Sequence, residues 1–208
     1  MRRWVAALLL LALPVRAFSD TNSSLCTLAG QHAEIEFRLP PGLLGAIGRV
    51  ESGGRGQDGS PWPWTIQAGG AGAFFDTRAE AMARITRLQA QGVQVIDVGC
   101  FQVDLFWHPG AFASINEALD PERNARAAAR FLAALHEQTL DWSEAVARYH
   151  SATPRLGAAY RDRVLAGGSR SHPEHNPTDY DPFVIVVGHR RNASALSLPH
   201  IIRAGFAD

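Results

Sequence analysis

Residues 46–54, AIGRVESGG, place an acidic side chain where a helix is expected to end. Apolar residues recur upstream at helical spacing: Leu43, Leu44, Ile47 and Val50. The glycine pair at 53–54 is typical of a helix stop. The pattern therefore predicts that Glu51 and Ser52 lie at the C-terminal end of a helix, where a loop opens.

The surroundings of Glu51 suggest a chemical use for its carboxyl group. Ile47 and Val50 precede it, and an apolar wall on one side of a carboxyl group raises its pKa. Such a group stays protonated near neutral pH and can act as an acid. The alternative, from local sequence alone, is an ordinary solvated glutamate at a helix end.

Outward from this helix, most of the chain has helical periodicity. Five further helices are predicted: one starts at Ser23 or Ser24, and the others cover 77–91, 121–138, 142–149 and 156–165. Residues 53–75 are rich in Gly, Pro and Trp and show no periodicity, and residues 93–104 alternate as a short strand or hairpin does. These patterns predict an α+β fold that is predominantly helical, with one short β element.

The two ends of the chain differ from the middle. Residues 1–17 begin with two arginines directly after Met1, continue with an apolar run too short to span a membrane, and end with small residues before a cleavage point, which predicts a cleaved signal peptide. The domain is then expected at 18–166, in the periplasm, without a stable membrane span; a membrane anchor is the alternative. Residues 167–208 change composition towards Ser, His, Pro and Asn, which predicts a poorly ordered tail.

Charge and cysteine content narrow the function classes. Without residues 1–17 the chain has 17 basic and 20 acidic residues, a balance that gives no reason to expect a nucleic-acid partner. Cys26 and Cys100 are expected to form a disulfide after export, with two buried free thiols or a metal or redox pair as the alternatives. Metal-ligand spacing and nucleotide-binding motifs are missing from the sequence, so we expect neither a metal nor a cofactor.

Four segments together resemble the lytic transglycosylase (SLT domain) family, whose fold is related to goose-type lysozyme. They are AIGRVESGG at 46–54, GCFQVD at 99–104, DPERN at 120–124 and AVARYH at 145–150. Their order and spacing match the family across residues 25–165. The resemblance implies an enzyme that cuts peptidoglycan glycan strands and leaves a 1,6-anhydro-N-acetylmuramic acid end.

The resemblance also implies roles for individual residues. Glu51 would be the single catalytic acid and base, and Ser52 would orient its carboxyl group or contact the substrate. Gln102 would donate hydrogen bonds to an N-acetyl or hydroxyl group, and Tyr149 would hold Glu51 through its hydroxyl group. Asn124 would be structural. For Tyr149 the alternative is a packed aromatic side chain.

The sequence departs from the family pattern at several positions. His150 replaces the usual Asn and is kept as a candidate substrate contact, and Cys100-Phe101 replaces Leu-Met. A long insertion after Glu51 carries Trp62 and Trp64 and resembles a subgroup associated with secretion systems. These tryptophans would either stack on sugar faces or pin the loop to the domain.

Two other functions remain open at this level. The first is hydrolysis of the glycan strand, the reaction of goose-type lysozymes, in which Asp104 or Asp97 would be the second carboxylate that holds a water. A non-catalytic glycan-binding module is the other. The expected partners are glycan strands and, as a candidate, an envelope-spanning secretion or flagellar assembly; the role would be wall turnover or local opening of the wall.

Overall fold

Seven helices and four short strands make up the described residues, 17–55 and 59–167, of this computed structural model. The helices are α1 (Ala17–Phe37), α2 (Leu43–Ser52), α3 (Arg78–Ala90), α4 (Ile115–Ala118), α5 (Pro121–Thr139), α6 (Trp142–His150) and α7 (Pro154–Leu165). The strands are β1 (Thr65–Ala68), β2 (Ala71–Phe74), β3 (Asp97–Val98) and β4 (Val103–Asp104), and they form one antiparallel sheet in the order β2-β1-β3-β4. The predicted fold class, α+β with helices dominant, is confirmed.

Helix α5 lies at the centre of the larger hydrophobic core. It begins as the sequence predicts, with Asp120 accepting a hydrogen bond from the Arg123 amide and Pro121 in the first turn. Its buried face consists largely of alanines, which let α1 and α6 approach closely. The facing side of α1 is built in the same way from Cys26, Ala29 and Ala33. Large apolar residues of α1 point to solvent instead: Leu25, Leu28 and Ile35.

Helix α2 carries Glu51, and its start is fixed by a residue of another helix. Gly42 precedes α2 in a left-handed conformation and offers no side-chain cap. The buried carboxylate of Glu34 on α1 replaces that cap, accepting hydrogen bonds from the amides of Gly42, Leu44 and Gly45. A negative charge is also favourable at a helix N-terminus. The position of α2, and with it that of Glu51, is therefore tied to α1.

A β-hairpin occupies part of the region that was expected to lack regular structure. Strands β1 and β2 pair through the two-residue turn Gly69-Gly70, and both glycines have positive φ, which this kind of tight turn requires. Helix α3 starts at the predicted Thr77–Glu80 capping box and packs on the sheet to form a second core. The hairpin was missed because each strand has only four residues.

Both ends of the chain lie outside the described residues. The predicted signal peptide, apart from Ala17, and the predicted tail from residue 168 onwards lie outside the described residues. The structure therefore does not test the proposed division at 17 and 166. Within 17–55 and 59–167, no helix is long and apolar enough to cross a membrane.

Candidate functional site

Glu51 lies in the last turn of α2, half-buried, and accepts a short hydrogen bond. The hydroxyl group of Tyr160 on α7 donates to its Oε1 at 2.6 Å. Burial raises the pKa of Glu51 from 4.5 to about 7, and the Tyr160 hydrogen bond and the charge of Arg163 act in the opposite direction. Near neutral pH this carboxyl group can therefore both give and accept a proton.

Tyr160 was not among the predicted site residues. It belongs to the buried stripe of α7 with Gly157 and Val164, and burial keeps its pKa well above the ordinary value, so that the hydroxyl group remains a donor. Its ring stacks on His150 at 4.7 Å between ring centres. A buried tyrosine needs a partner for its hydroxyl group, which is a usable sequence signal. The identity of that partner, 109 positions away, depends on the tertiary packing.

Tyr149, which was predicted to hold Glu51, bonds elsewhere. Its hydroxyl group donates to the backbone oxygen of Phe101 at 2.9 Å, while its ring lies nearly parallel to that of Tyr160, 6.5 Å away. The predicted hydrogen bond to Glu51 is therefore corrected: α7 brings Tyr160 closer than α6 brings Tyr149. Burial raises the pKa of Tyr149 well above its ordinary value, and the charge of the nearby Glu51 raises it further. His150, the predicted substrate contact, is exposed and lies against Tyr160.

Ser52 is fully buried and holds three segments together. Its hydroxyl group donates to the backbone oxygen of Cys100 at 2.6 Å and accepts from the amide of Trp62 at 3.1 Å. A direct contact between Ser52 and a substrate is therefore excluded in this conformation. The residue instead joins the end of α2 to the segment 99–104 and to the following loop.

Gln102 uses its amide group inside the protein. With 9% of its surface exposed, its Nε2 donates to the backbone oxygens of Thr65 and Gly99. The predicted donation to a sugar is corrected accordingly, because both amide hydrogens have acceptors. The atom left without a hydrogen-bond partner among the described residues is the buried acceptor Oε1.

The two candidate second carboxylates, Asp97 and Asp104, lie opposite each other on β3 and β4. Asp104 is buried, and its Oδ1 accepts from the amides of Phe106 and Trp107. Asp97 is half-buried, and its pKa is raised well above the ordinary value by burial, by the charge of Asp104 and by that of Glu51. The sheet thus brings Asp97 and Glu51 near enough for their charges to interact.

The two tryptophans of the insertion have different environments. Trp62 is only 3% exposed, its ring nitrogen donates to the backbone oxygen of Phe75, and Arg55 lies over its ring. For Trp62 the structure therefore supports the loop-pinning alternative and contradicts sugar stacking. Trp64 packs edge-on against Trp62 and stays half-exposed, so stacking on a sugar remains a prediction for Trp64 alone.

Asn124 shapes the backbone of the segment that carries Gln102. Fully buried, it donates to the backbone oxygens of Val98 and Ala118 and accepts from the Phe101 amide. Gly99 lies against it in a left-handed conformation, where a Cβ atom would come within 2.6 Å of the Asn124 amide nitrogen. The predicted structural role of Asn124 is confirmed.

A disulfide ties this segment to the first helix. Cys26 of α1 and Cys100 are bonded with an S–S distance of 2.10 Å, and both are fully buried. The predicted pairing is confirmed. Together with Ser52 and Asn124, the bridge fixes residues 99–104 from three sides.

Comparison with known proteins assigns the family. The sequence profile of the Transglycosylase SLT domain matches residues 29–163, which is more than half of the chain and includes all four segments quoted above. No curated protein and no solved structure matches the chain significantly. In the part of the chain that the structure describes, no cluster of His, Cys, Asp and Glu side chains is suited to a metal ion. The family is lysozyme-like and typically cleaves peptidoglycan. The chain belongs to the Transglycosylase SLT domain family.

Proposed function

We propose that this protein is a peptidoglycan lytic transglycosylase in which Glu51 is the single catalytic acid and base. The observation that carries the proposal is the half-buried carboxyl group of Glu51, with a pKa raised to about 7 and its orientation fixed by Tyr160. General acid–base catalysis is most effective when the pKa of the group lies near the working pH. The family match supplies the substrate class, peptidoglycan.

One residue that both gives and accepts a proton is enough for this reaction. Glu51 protonates the oxygen that links N-acetylmuramic acid to N-acetylglucosamine, and the bond from that oxygen to the anomeric carbon breaks. The resulting carboxylate then takes the proton of the 6-hydroxyl group of the same muramic acid, whose oxygen attacks the anomeric carbon. The product carries a 1,6-anhydro ring, no water is consumed, and Glu51 regains its proton.

The environment of the other two carboxyl groups favours transglycosylation over hydrolysis. An inverting or retaining hydrolase needs a second, ionised carboxylate beside the bond. Asp104 is buried and engaged by two backbone amides, and the raised pKa of Asp97 favours its uncharged form, which cannot activate a water as a base. Hydrolysis with Asp97 or Asp104 therefore stays the second candidate.

The product distinguishes the two reactions. We expect muropeptides released from purified sacculi to carry anhydro ends, measured by mass spectrometry as a loss of one water relative to reducing ends. Mainly reducing ends would identify a hydrolase, and Asp97→Asn or Asp104→Asn should then be as damaging as the loss of Glu51. No release at all, from a folded protein, would favour a glycan-binding module.

Tyr160→Phe is expected to shift the pH dependence of cleavage. The hydrogen bond from Tyr160 lowers the pKa of Glu51, so its removal should raise that pKa above about 7. Since the acid form of Glu51 is lost as the pH rises through its pKa, the alkaline limb of the pH–rate profile should move to higher pH, by about one unit for a hydrogen bond to a charged group.

Tyr149→Phe is the matched control for this shift. The hydroxyl group of Tyr149 donates to the Phe101 backbone oxygen, so its removal should leave the alkaline limb nearly in place. An alkaline limb that moves to lower pH in Tyr160→Phe, or equally in both variants, would contradict the role assigned to Tyr160.

We further propose that the enzyme acts in the periplasm, because residues 1–17 have the pattern of a cleaved signal peptide. N-terminal sequencing of protein from a periplasmic extract would test this, with Phe18 as the expected first residue. Attachment to a secretion or flagellar assembly is supported only by the resemblance of the insertion that carries Trp62 and Trp64.

A further inference from the structure

Two acidic side chains face each other directly across strands β3 and β4. Asp97 is the register partner of Asp104. The neighbouring Leu105 amide donates to the Ile96 backbone oxygen at 3.1 Å, which makes Asp97–Asp104 a non-hydrogen-bonded pair of the ladder. In such pairs the side chains come closest, with Cα atoms only about 4.5 Å apart. Like charges directly opposite each other destabilise a sheet, so the pairing needs a compensating interaction.

Asp104 supplies a buried acceptor that lacks a donor. Its Oδ1 accepts from the amides of Phe106 at 2.8 Å and Trp107 at 2.7 Å. Its Oδ2 is buried and has no hydrogen-bond partner among the described residues. Leaving a buried acceptor unsatisfied is costly, more so when it carries charge. A donor at Oδ2 would remove this cost.

Asp97 is placed to be that donor. Three ionisable side chains interact with it: Asp104 on β4, Glu51 on α2 and Tyr149 on α6. The pKa of Tyr149 is raised by burial and by the charges of both Glu51 and Asp97. Its other register partner, Gln67 on β1, is uncharged. Burial and the neighbouring charges of Asp104 and Glu51 all raise the pKa of Asp97, which favours its protonated form. A protonated carboxyl group has one O–H donor.

We propose that Asp97 and Asp104 share one proton, the carboxylic acid of Asp97 donating to Oδ2 of Asp104, and that this pair is a positioning unit holding β3 and β4 together opposite Glu51. Carboxyl groups that share a site are known to hold one proton between them for this reason. An Asp97 that already donates a hydrogen bond cannot act as a base for water, which leaves Glu51 alone to exchange protons with the substrate. This consequence for catalysis rests on the proposed transglycosylase function.

The proton itself is measured without turnover. In a Glu51→Gln background, which removes the carboxyl group whose pKa is raised to about 7, the infrared spectrum at pH 7 should show a protonated-carboxyl C=O band. That band should disappear on adding Asp97→Asn and should persist on adding Asp162→Asn, a change at an exposed aspartate. A spectrum at pH 7 without such a band, or a band that Asp97→Asn leaves intact, would overturn the shared proton.

The positioning role is measured by rescue. Asp97→Ala removes the donor and should lower the rate of sacculus cleavage roughly 10-fold or more, since small displacements of positioning groups cost up to ~10²-fold. Asp97→Asn, whose amide can donate to Oδ2 at every pH, should restore most of that rate and keep anhydro ends. Equal, severe losses in both variants would mean that the ionised carboxylate is required, and no loss in either would mean that the pair positions nothing.

These measurements test the shared proton independently of the proposed function. If the parent enzyme produces reducing ends, the transglycosylase assignment fails while the infrared result stands by itself. If the infrared band is absent while the products carry anhydro ends, the pair fails and the assignment survives. If Asp97→Ala does not fold, the activity of Asp97→Asn and the infrared spectrum still test the shared proton.

Discussion

Glu51→Gln is expected to lower the rate of glycan-strand cleavage by about 10² to 10⁴-fold, the usual contribution of a general acid or base. The amide keeps the size of the side chain, and its oxygen can still accept the hydrogen bond from Tyr160, but it cannot deliver a proton to the leaving oxygen. The measurement is the release of soluble muropeptides from purified sacculi. Activity close to that of the parent would remove Glu51 from the mechanism.

The same variant provides its own test of folding. In the parent, the folded-state pKa of Glu51, about 7, lies above the unfolded value of 4.5. The associated stabilisation is fully present below the unfolded pKa and is lost as the pH rises through 7. The parent therefore buries a charge above pH 7, and Glu51→Gln does not. We expect the variant to be at least as resistant to urea as the parent at pH 8, although it is inactive.

Glu137→Gln is the matched control for the loss of activity. Glu137 lies exposed on α5, so the same chemical change is made away from the site. Its cleavage rate should equal that of the parent. A similar loss in both variants would point to an effect of net charge on binding to the wall, and not to proton transfer by Glu51.

The fold and the position of Glu51 could be predicted because they depend on local signals. The capping box at Thr77–Glu80 and the Asp120-Pro121 start each act within one helical turn, and the structure has both. Glu51 was identified from its apolar neighbours, the glycines after it and the resemblance of four segments. These signals do not depend on how the helices pack against one another.

The partners of the side chains around Glu51 could not be predicted, because they depend on that packing. Tyr149, which is half-buried, and Tyr160, which is buried, lie on neighbouring helices, and only the approach of α7 to α2 decides which hydroxyl group reaches Glu51. Gln102 was predicted to donate to a substrate, and Ser52 to orient the carboxyl group of Glu51 or contact the substrate. Backbone oxygens of distant segments accept from both side chains instead. A sequence shows which polar groups are present but not which of them are already satisfied.

Reduction of the Cys26–Cys100 disulfide is expected to lower the free energy of unfolding by about 4 kcal/mol, from the entropy of closing so long a loop in the unfolded chain. The cysteines are 74 positions apart, and both sulfur atoms are buried in the helical core. Urea unfolding with and without reductant measures the effect with every side chain unchanged. The matched control is Cys26→Ala/Cys100→Ala, whose stability should not respond to reductant.

The bridge should matter for activity as well as for stability. The backbone oxygen of Cys100 accepts from Ser52, which is next to Glu51. Phe101 follows directly; its backbone oxygen accepts from Tyr149 and its amide donates to Asn124. Loosening this segment moves Gln102 and Asp104 relative to Glu51, and small displacements of positioning groups cost rate. We therefore expect the reduced enzyme, kept under conditions where it is still folded, to cleave sacculi more slowly than the oxidised enzyme. Equal rates would mean that Ser52 and Asn124 alone hold the segment in place, and the disulfide would then contribute to stability only.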